Sequence, residues 1–178
     1  MDKIIYSEEQ LLKRSFMPFS VLSVLLFVIV GFGMGFYRQL YQGIPYGNNP
    51  MSDTQLLLAG IITFLLLTGV FVTMLSGKLT TEVMSSGIRF RYFPFVMKYR
   101  FIALGDIETV TVCDYKPIAE FGGWGMRRIL FKRKVAYSIS GKTALRIRHK
   151  NGFETVIGTQ KPSEMKKAIE KMLNILNS

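Results

Sequence analysis

Two stretches in the first half of the chain are apolar on every face. From Phe16 to Tyr37 no residue carries a charge, and Leu56 to Leu75 is a second uncharged run. Apolarity without a 3.6- or 2-residue period leaves no side for water, which excludes surface helices and half-buried strands. At 1.5 Å per residue, about 20 such residues cross a hydrocarbon core of about 30 Å. The pattern predicts a two-helix transmembrane hairpin, with spans over 16–37 and 56–76. The loop between them, 38–55, holds Gly43, Pro45, Gly47, Asn48, Asn49 and Pro50 and reads as irregular turns. Ser52 or Asp53 stands where the second helix would be capped. The first run exceeds the apolar core of a signal peptide and ends in Gly-Phe-Gly-Met-Gly-Phe-Tyr, not a small-x-small cleavage site.

Past Gly77 the texture changes to short alternating runs split by turn residues. Strands are expected at Leu79–Met84, Ile88–Phe93, Tyr99–Leu104, Ile107–Tyr115, Val135–Ser140, Thr143–His149 and Glu154–Gly158. Pro94 interrupts the second, and Asn151-Gly152 is a hairpin turn signal. The period then switches. Pro162 suits a first helical turn, and Met165, Ala168, Ile169, Met172, Leu173 and Leu176 recur at helical spacing. Residues 77–178 therefore predict a mainly β domain of about seven strands covered by a C-terminal α-helix, because a sheet with one apolar face needs a cover. Residues 1–15 read as a segment outside that domain.

Charge sharpens this division. The 178 residues carry a formal net charge of +11, and 19 of the 23 basic but only eight of the 12 acidic side chains fall in 77–178. Lys13 and Arg14 precede the first span and Lys78 follows the second, whereas the loop holds one Arg and one Asp. The positive-inside bias puts both termini in the cytoplasm and the loop outside. A basic domain tethered to a bilayer favours an anionic membrane surface over nucleic acid as its partner. The single cysteine, Cys113, lies in an apolar run and excludes an intramolecular disulfide or a thiol-based metal site.

Three blocks bear a family likeness: Phe121-Gly122-Gly123-Trp124-Gly125-Met126-Arg127, Ala136 to Gly141, and Ile157 to Pro162, with Ile107-Glu108-Thr109-Val110 before them. In these the chain resembles small bacterial membrane proteins with a pleckstrin-homology-like domain, over roughly residues 78–175. The resemblance implies a pleckstrin-homology-like barrel closed by the C-terminal helix, in the bacterial cytoplasmic membrane, and implies no activity. The basic stretch after Gly-Gly-Trp-Gly departs from that pattern.

That stretch is the most pointed candidate site. Arg127, Arg128, Lys132, Arg133 and Lys134 surround Ile129-Leu130-Phe131, with Trp124 just before them. Either the cations meet lipid phosphates while apolar groups dip into the leaflet, or Ile129 to Phe131 form a strand and the charges are a solvated loop. Gly31 and Gly35 form a small-xxx-small step that serves packing within the hairpin or a dimer face. Arg146, Arg148 and Lys150 share one face of a strand, as a basic stripe or a solvated edge. Catalysis finds no foothold: His149 is the sole histidine, and no acidic or thiol cluster has metal-ligand spacing. No cofactor is expected. The sequence predicts a non-catalytic, membrane-anchored interaction module that binds a protein partner or oligomerises, or alternatively one that responds to anionic lipid.

Overall fold

A computed structural model describes residues 3–176 and divides into two compact units, one of residues 16–76 and the other of residues up to 15 together with those from 77 onward.

In the first unit α1 spans Met17–Phe36 and continues through a π turn, Tyr37–Tyr41, while α2 spans Asp53–Ser76. Both helices are long and apolar enough to cross a membrane. Only Pro18, Leu25 and Gly35 of α1 and Leu56 and Gly60 of α2 are buried, so large side chains such as Phe19, Phe27, Ile62 and Leu65 point outward. Helices apolar all round and unburied need an apolar solvent. Ser52 starts α2 with a capping box: Gln55 N–H donates to Ser52 Oγ at 3.4 Å, and Ser52 N–H donates back to Gln55 Oε1 at 3.1 Å. Gln39 pins the loop by donating to Met51 O at 2.7 Å and Asp53 Oδ1 at 2.8 Å.

The glycine that admits the facing helix is Gly60. A β-carbon there would stand 2.6 Å from Phe36 Cζ and 3.1 Å from Phe32 Cδ1. Gly31 faces open space and Gly35 lies against the Tyr46 ring of the loop, so the step predicted from spacing is not where the helices meet. Packing of the two phenylalanines, rather than a small-residue seam, sets the contact.

The second unit holds two sheets. The first is antiparallel in the order β1-β2-β3-β4, from Ile4–Leu11, Lys78–Met84, Gly87–Phe93 and Val96–Ala103. The second has the order β5-β8-β9-β7-β6, from Ile107–Asp114, Thr143–His149, Glu154–Gly158, Lys134–Ser138 and Gly125–Ile129. Its pairs are antiparallel except β7 with β9. The short helix α3, Pro117–Phe121, lies between β5 and β6, and α4, Pro162–Leu176, follows β9. Leu79, Ile88, Tyr92, Tyr137, Leu145, Ile147, Ile157, Met165 and Met172 fill the interior, Met165 and Met172 coming from the apolar stripe of α4.

Two features differ from the sequence reading. The sheets do not close into a barrel: β1 and β4 end one sheet, β5 and β6 the other. The segment before α1 belongs to the domain, because β1 pairs with β2 from Leu11↔Lys78 to Ile4↔Met84. Leu12 N–H extends that ladder to Gly77 O at 2.8 Å. The pair of apolar helices is thus inserted where an ordinary β-hairpin would have its turn. β1 escapes a hydrophobic reading because its inward positions are Glu8, 4% exposed, and Gln10, 1% exposed. Buried polar groups need partners: Glu8 accepts from Thr159 Oγ1 at 2.6 Å and Gln160 N–H at 2.7 Å, and Gln10 Nε2 donates to Gly158 O at 2.6 Å, while Gln10 Oε1 is buried without a partner.

Candidate functional site

The basic stretch folds as the β6–β7 hairpin. The strands run to Ile129↔Lys134, leaving a four-residue turn, Leu130 to Arg133. Arg133 N–H closes the turn on Leu130 O at 3.1 Å, with Arg133 in the left-handed region at φ +47°. Its carbonyl in turn accepts from Glu154 N–H at 3.0 Å, which ties the turn to the neighbouring strand.

The strand ends one residue before the apolar pair. Ile129 is half-buried and packs on the cluster of Tyr115, Phe121, Ala136, Ala144 and Val156. Leu130 is 70% exposed and Phe131 fully exposed at the tip. Isolated apolar side chains at a surface are ordinary, but here an exposed Leu-Phe pair is flanked along the hairpin by exposed cations, Arg127 and Arg128 before it and Lys132 and Arg133 after it. The alternative that placed Ile129 to Phe131 together inside a strand holds for Ile129 alone.

Two of the six predicted site residues lie elsewhere. Lys134 points inward, its Nζ 4.6 Å from the centre of the Phe121 ring and 4.0 Å from Glu120 Oε2. It supports the hairpin from below. Trp124 is half-buried and donates its indole N–H to Gly141 O at 2.8 Å. Its glycine-rich surroundings form a turn: α3 ends in Gly122, left-handed at φ +73°, whose N–H bonds Ile118 O at 2.8 Å while Gly123 N–H reaches Pro117 O at 3.0 Å. Arg127 Nε donates to Trp124 O at 3.2 Å, so the turn orients the first cation of the hairpin.

Beneath the hairpin lies an ion network. Glu120 takes Arg146 Nη2 at 2.8 Å and Lys116 N–H at 2.8 Å, and Arg146 Nη1 reaches Glu154 Oε1 at 2.8 Å. Arg146 is therefore committed to structure, and only Arg148 and Lys150 of the predicted stripe are exposed. Cys113 is half-buried and free. His149 Nε2 lies 2.9 Å from Thr155 Oγ1, and burial holds its imidazole below the ordinary histidine value, against a smaller upward pull from Asp106. Among the described residues no group of three or more His, Cys, Asp or Glu could hold a metal ion.

No family model and no curated protein matches the chain.

Proposed function

We propose that this chain is a non-catalytic, membrane-anchored module of the bacterial cytoplasmic membrane. Its hairpin crosses twice, and its basic, pleckstrin-homology-like domain engages anionic headgroups through the β6–β7 tip. The observation that carries the reading is the wholly exposed Phe131, beside Leu130, among four exposed cations. Burying such a side chain contributes about 1.5–3 kcal/mol, and each cation near an anionic surface about 1 kcal/mol. The pairing of β1 with β2 supports two crossings, since the chain leaves β1 and returns to β2 at the same end of one sheet. The flanking Lys13, Arg14 and Lys78 favour the cytoplasmic side for the domain.

The test uses the domain freed of its hairpin, residues 1–15 joined to 77–178 by a short turn, floated with neutral and anionic vesicles at low and high salt. Flotation with anionic vesicles alone, weakened by salt, is the expected result. Neutralising Arg127, Lys132 and Arg133 together should lower affinity roughly a hundredfold, and L130A/F131A should weaken it at every salt concentration. Binding unchanged in both variants would sink the lipid reading.

A protein partner is the second reading, favoured by one observation. The outward positions around edge strand β4, Phe95, Met97, Tyr99 and Phe101, are 42–68% exposed and alternate with polar neighbours from Met97 onward. An unpaired edge beside an apolar row suits the addition of a strand from another chain. Such binding would be indifferent to salt and lipid charge. Cross-linking from Met97 in intact membranes would capture it.

A further inference from the structure

The two-sheet domain is covered on one open side and not on the other. Helix α4 packs on β1, β2, β5 and β8. The outer edges of β4 and β6 pair with no strand among the described residues. A cleft of about 270 Å³ opens there. Liquid water takes about 30 Å³ per molecule, so the space admits a small oxyanion with part of its hydration.

The lining is selective in its charge. Arg100 reaches in from β4 and Arg128 from β6, with Tyr137, only 1% exposed, between them. Arg100 Nη1 donates to Tyr137 Oη at 3.1 Å. Because the phenol oxygen accepts from Arg100, its own proton is left to donate into the cleft. Burial pushes the Tyr137 phenol up, and both Arg100 and Arg128 pull it back, so both guanidiniums act on the same group. His149 and Asn151 add further polar groups to the wall, and no carboxylate lines it.

The two arginines differ from those that the domain holds in ion pairs. Arg89 is paired with Glu82, and Arg146 with Glu120 and Glu154. Arg100 and Arg128 have no carboxylate partner among the described residues. Two guanidinium forks converging without a counter-charge repel each other, and their planar donors match the oxygens of a phosphate. Two forks, a phenol O–H and a side-chain amide offer more donors than the two oxygens of a carboxylate take up.

We propose that the cleft between β4 and β6 binds a phosphate monoester, held by Arg100 and Arg128 from the two strand edges and by the Tyr137 hydroxyl from the floor. The phosphate belongs to a lipid headgroup or to a soluble molecule, and the site does not depend on the hairpin tip entering lipid.

The test takes the full chain in nanodiscs of neutral phosphatidylcholine, titrated with inorganic phosphate at constant ionic strength. His149 is the only histidine, so its imidazole gives a single resonance from the cleft wall. A saturable shift of that resonance is expected, with affinity at least tenfold weaker in R100Q and in R128Q. R100K and R128K keep the charge without the fork; they control for folding and should also bind more weakly. A second arm replaces dissolved phosphate with nanodiscs containing phosphatidic acid, a monoester, or phosphatidylglycerol, a diester. A shift with phosphatidic acid and not with phosphatidylglycerol assigns the lipid source, and one with dissolved phosphate alone assigns the soluble source. Either supports the site. Absence of any shift, or a shift of equal affinity in all four variants, overturns it. L130A/F131A should leave the shift intact, so loss of tip binding and loss of the cleft are separable.

Discussion

Glu120 joins α3 to the strands that carry the hairpin, and its protonation sets how long that junction survives in acid. Burial alone would raise its carboxyl, but the Lys116 N–H, Arg146 and Lys134 outweigh burial and hold it below the ordinary value of 4.5. A carboxylate lowered in the folded state contributes its full stability above the unfolded value and loses it as pH falls through the folded one. The Glu120 and Arg146 side chains are 27% and 30% exposed, so solvent screens the pair. E120Q in the hairpin-free domain should therefore cost about 1 kcal/mol at neutral pH. The melting temperatures of wild type and variant should converge as pH drops below the ordinary glutamate range; a gap that persisted in strong acid would contradict this account. The same neighbourhood shows what residue types alone conceal. Lys132, Arg133 and Lys134 read as one charge run, yet the left-handed residue at Arg133 ends the turn and starts β7 with Lys134 facing Phe121. No single-residue property separates the three. Likewise Arg100, Arg128 and Tyr137 lie on three strands, and only the fold brings them to one cleft.

Among the elements, legibility followed how apolar the buried face is. Strands β2, β3, β5, β8 and β9 and helix α4 carry apolar inward positions, and their extents match expectation to within a residue or two. β4 begins earlier than expected, at Val96, because its exposed aromatic row blurs the alternation. β1 was not expected as a strand, having an inward face of Glu8 and Gln10, and β6 was expected in one alternative only, over Ile129 to Phe131, whereas the strand runs over Gly125–Ile129. The polar face of β1 makes a specific prediction. In E8A the Thr159 hydroxyl and the Gln160 N–H lose a shared acceptor, and Tyr6, whose phenol donates to Glu8 Oε2 at 3.1 Å, loses its partner. Leaving such groups unsatisfied costs about 1–3 kcal/mol each when buried, and Gln160 and Tyr6 are partly open to water. The expected loss in urea unfolding is about 2–4 kcal/mol, larger than for any single exposed cation of the β6–β7 hairpin. E8Q keeps an acceptor oxygen and should recover part of it. If E8A melted like wild type, the strand would not be held by this carboxylate.

At the scale of the whole molecule, the two long apolar helices were visible in composition, but the discontinuity of the domain was not. Pairing Leu11 with Lys78 joins residues separated by the entire hairpin, and no local period reports a contact across such a distance. The consequence is a test of what constitutes the folding unit. A fragment that starts at Lys78 strips β2 of its neighbour and exposes a seven-residue edge whose Leu79 and Val83 are fully buried in the intact chain. It also leaves Gly158 O without the Gln10 amide and Thr159 without the Glu8 carboxylate. Exposed apolar edges recruit other chains, so this fragment should aggregate or melt well below the domain that keeps β1. Joining residues 1–15 to 77–178 through a short turn instead restores an ordinary antiparallel hairpin, because Leu12 N–H already meets Gly77 O at 2.8 Å. Closing a loop of a few residues in place of 61 also lowers the entropic cost of pairing, which grows as the logarithm of loop length. That protein should be soluble and monomeric, with a cooperative thermal transition. Comparable melting of the two proteins would mean that β1 is dispensable, and the domain would then begin at Lys78 as its hydrophobic pattern alone suggests.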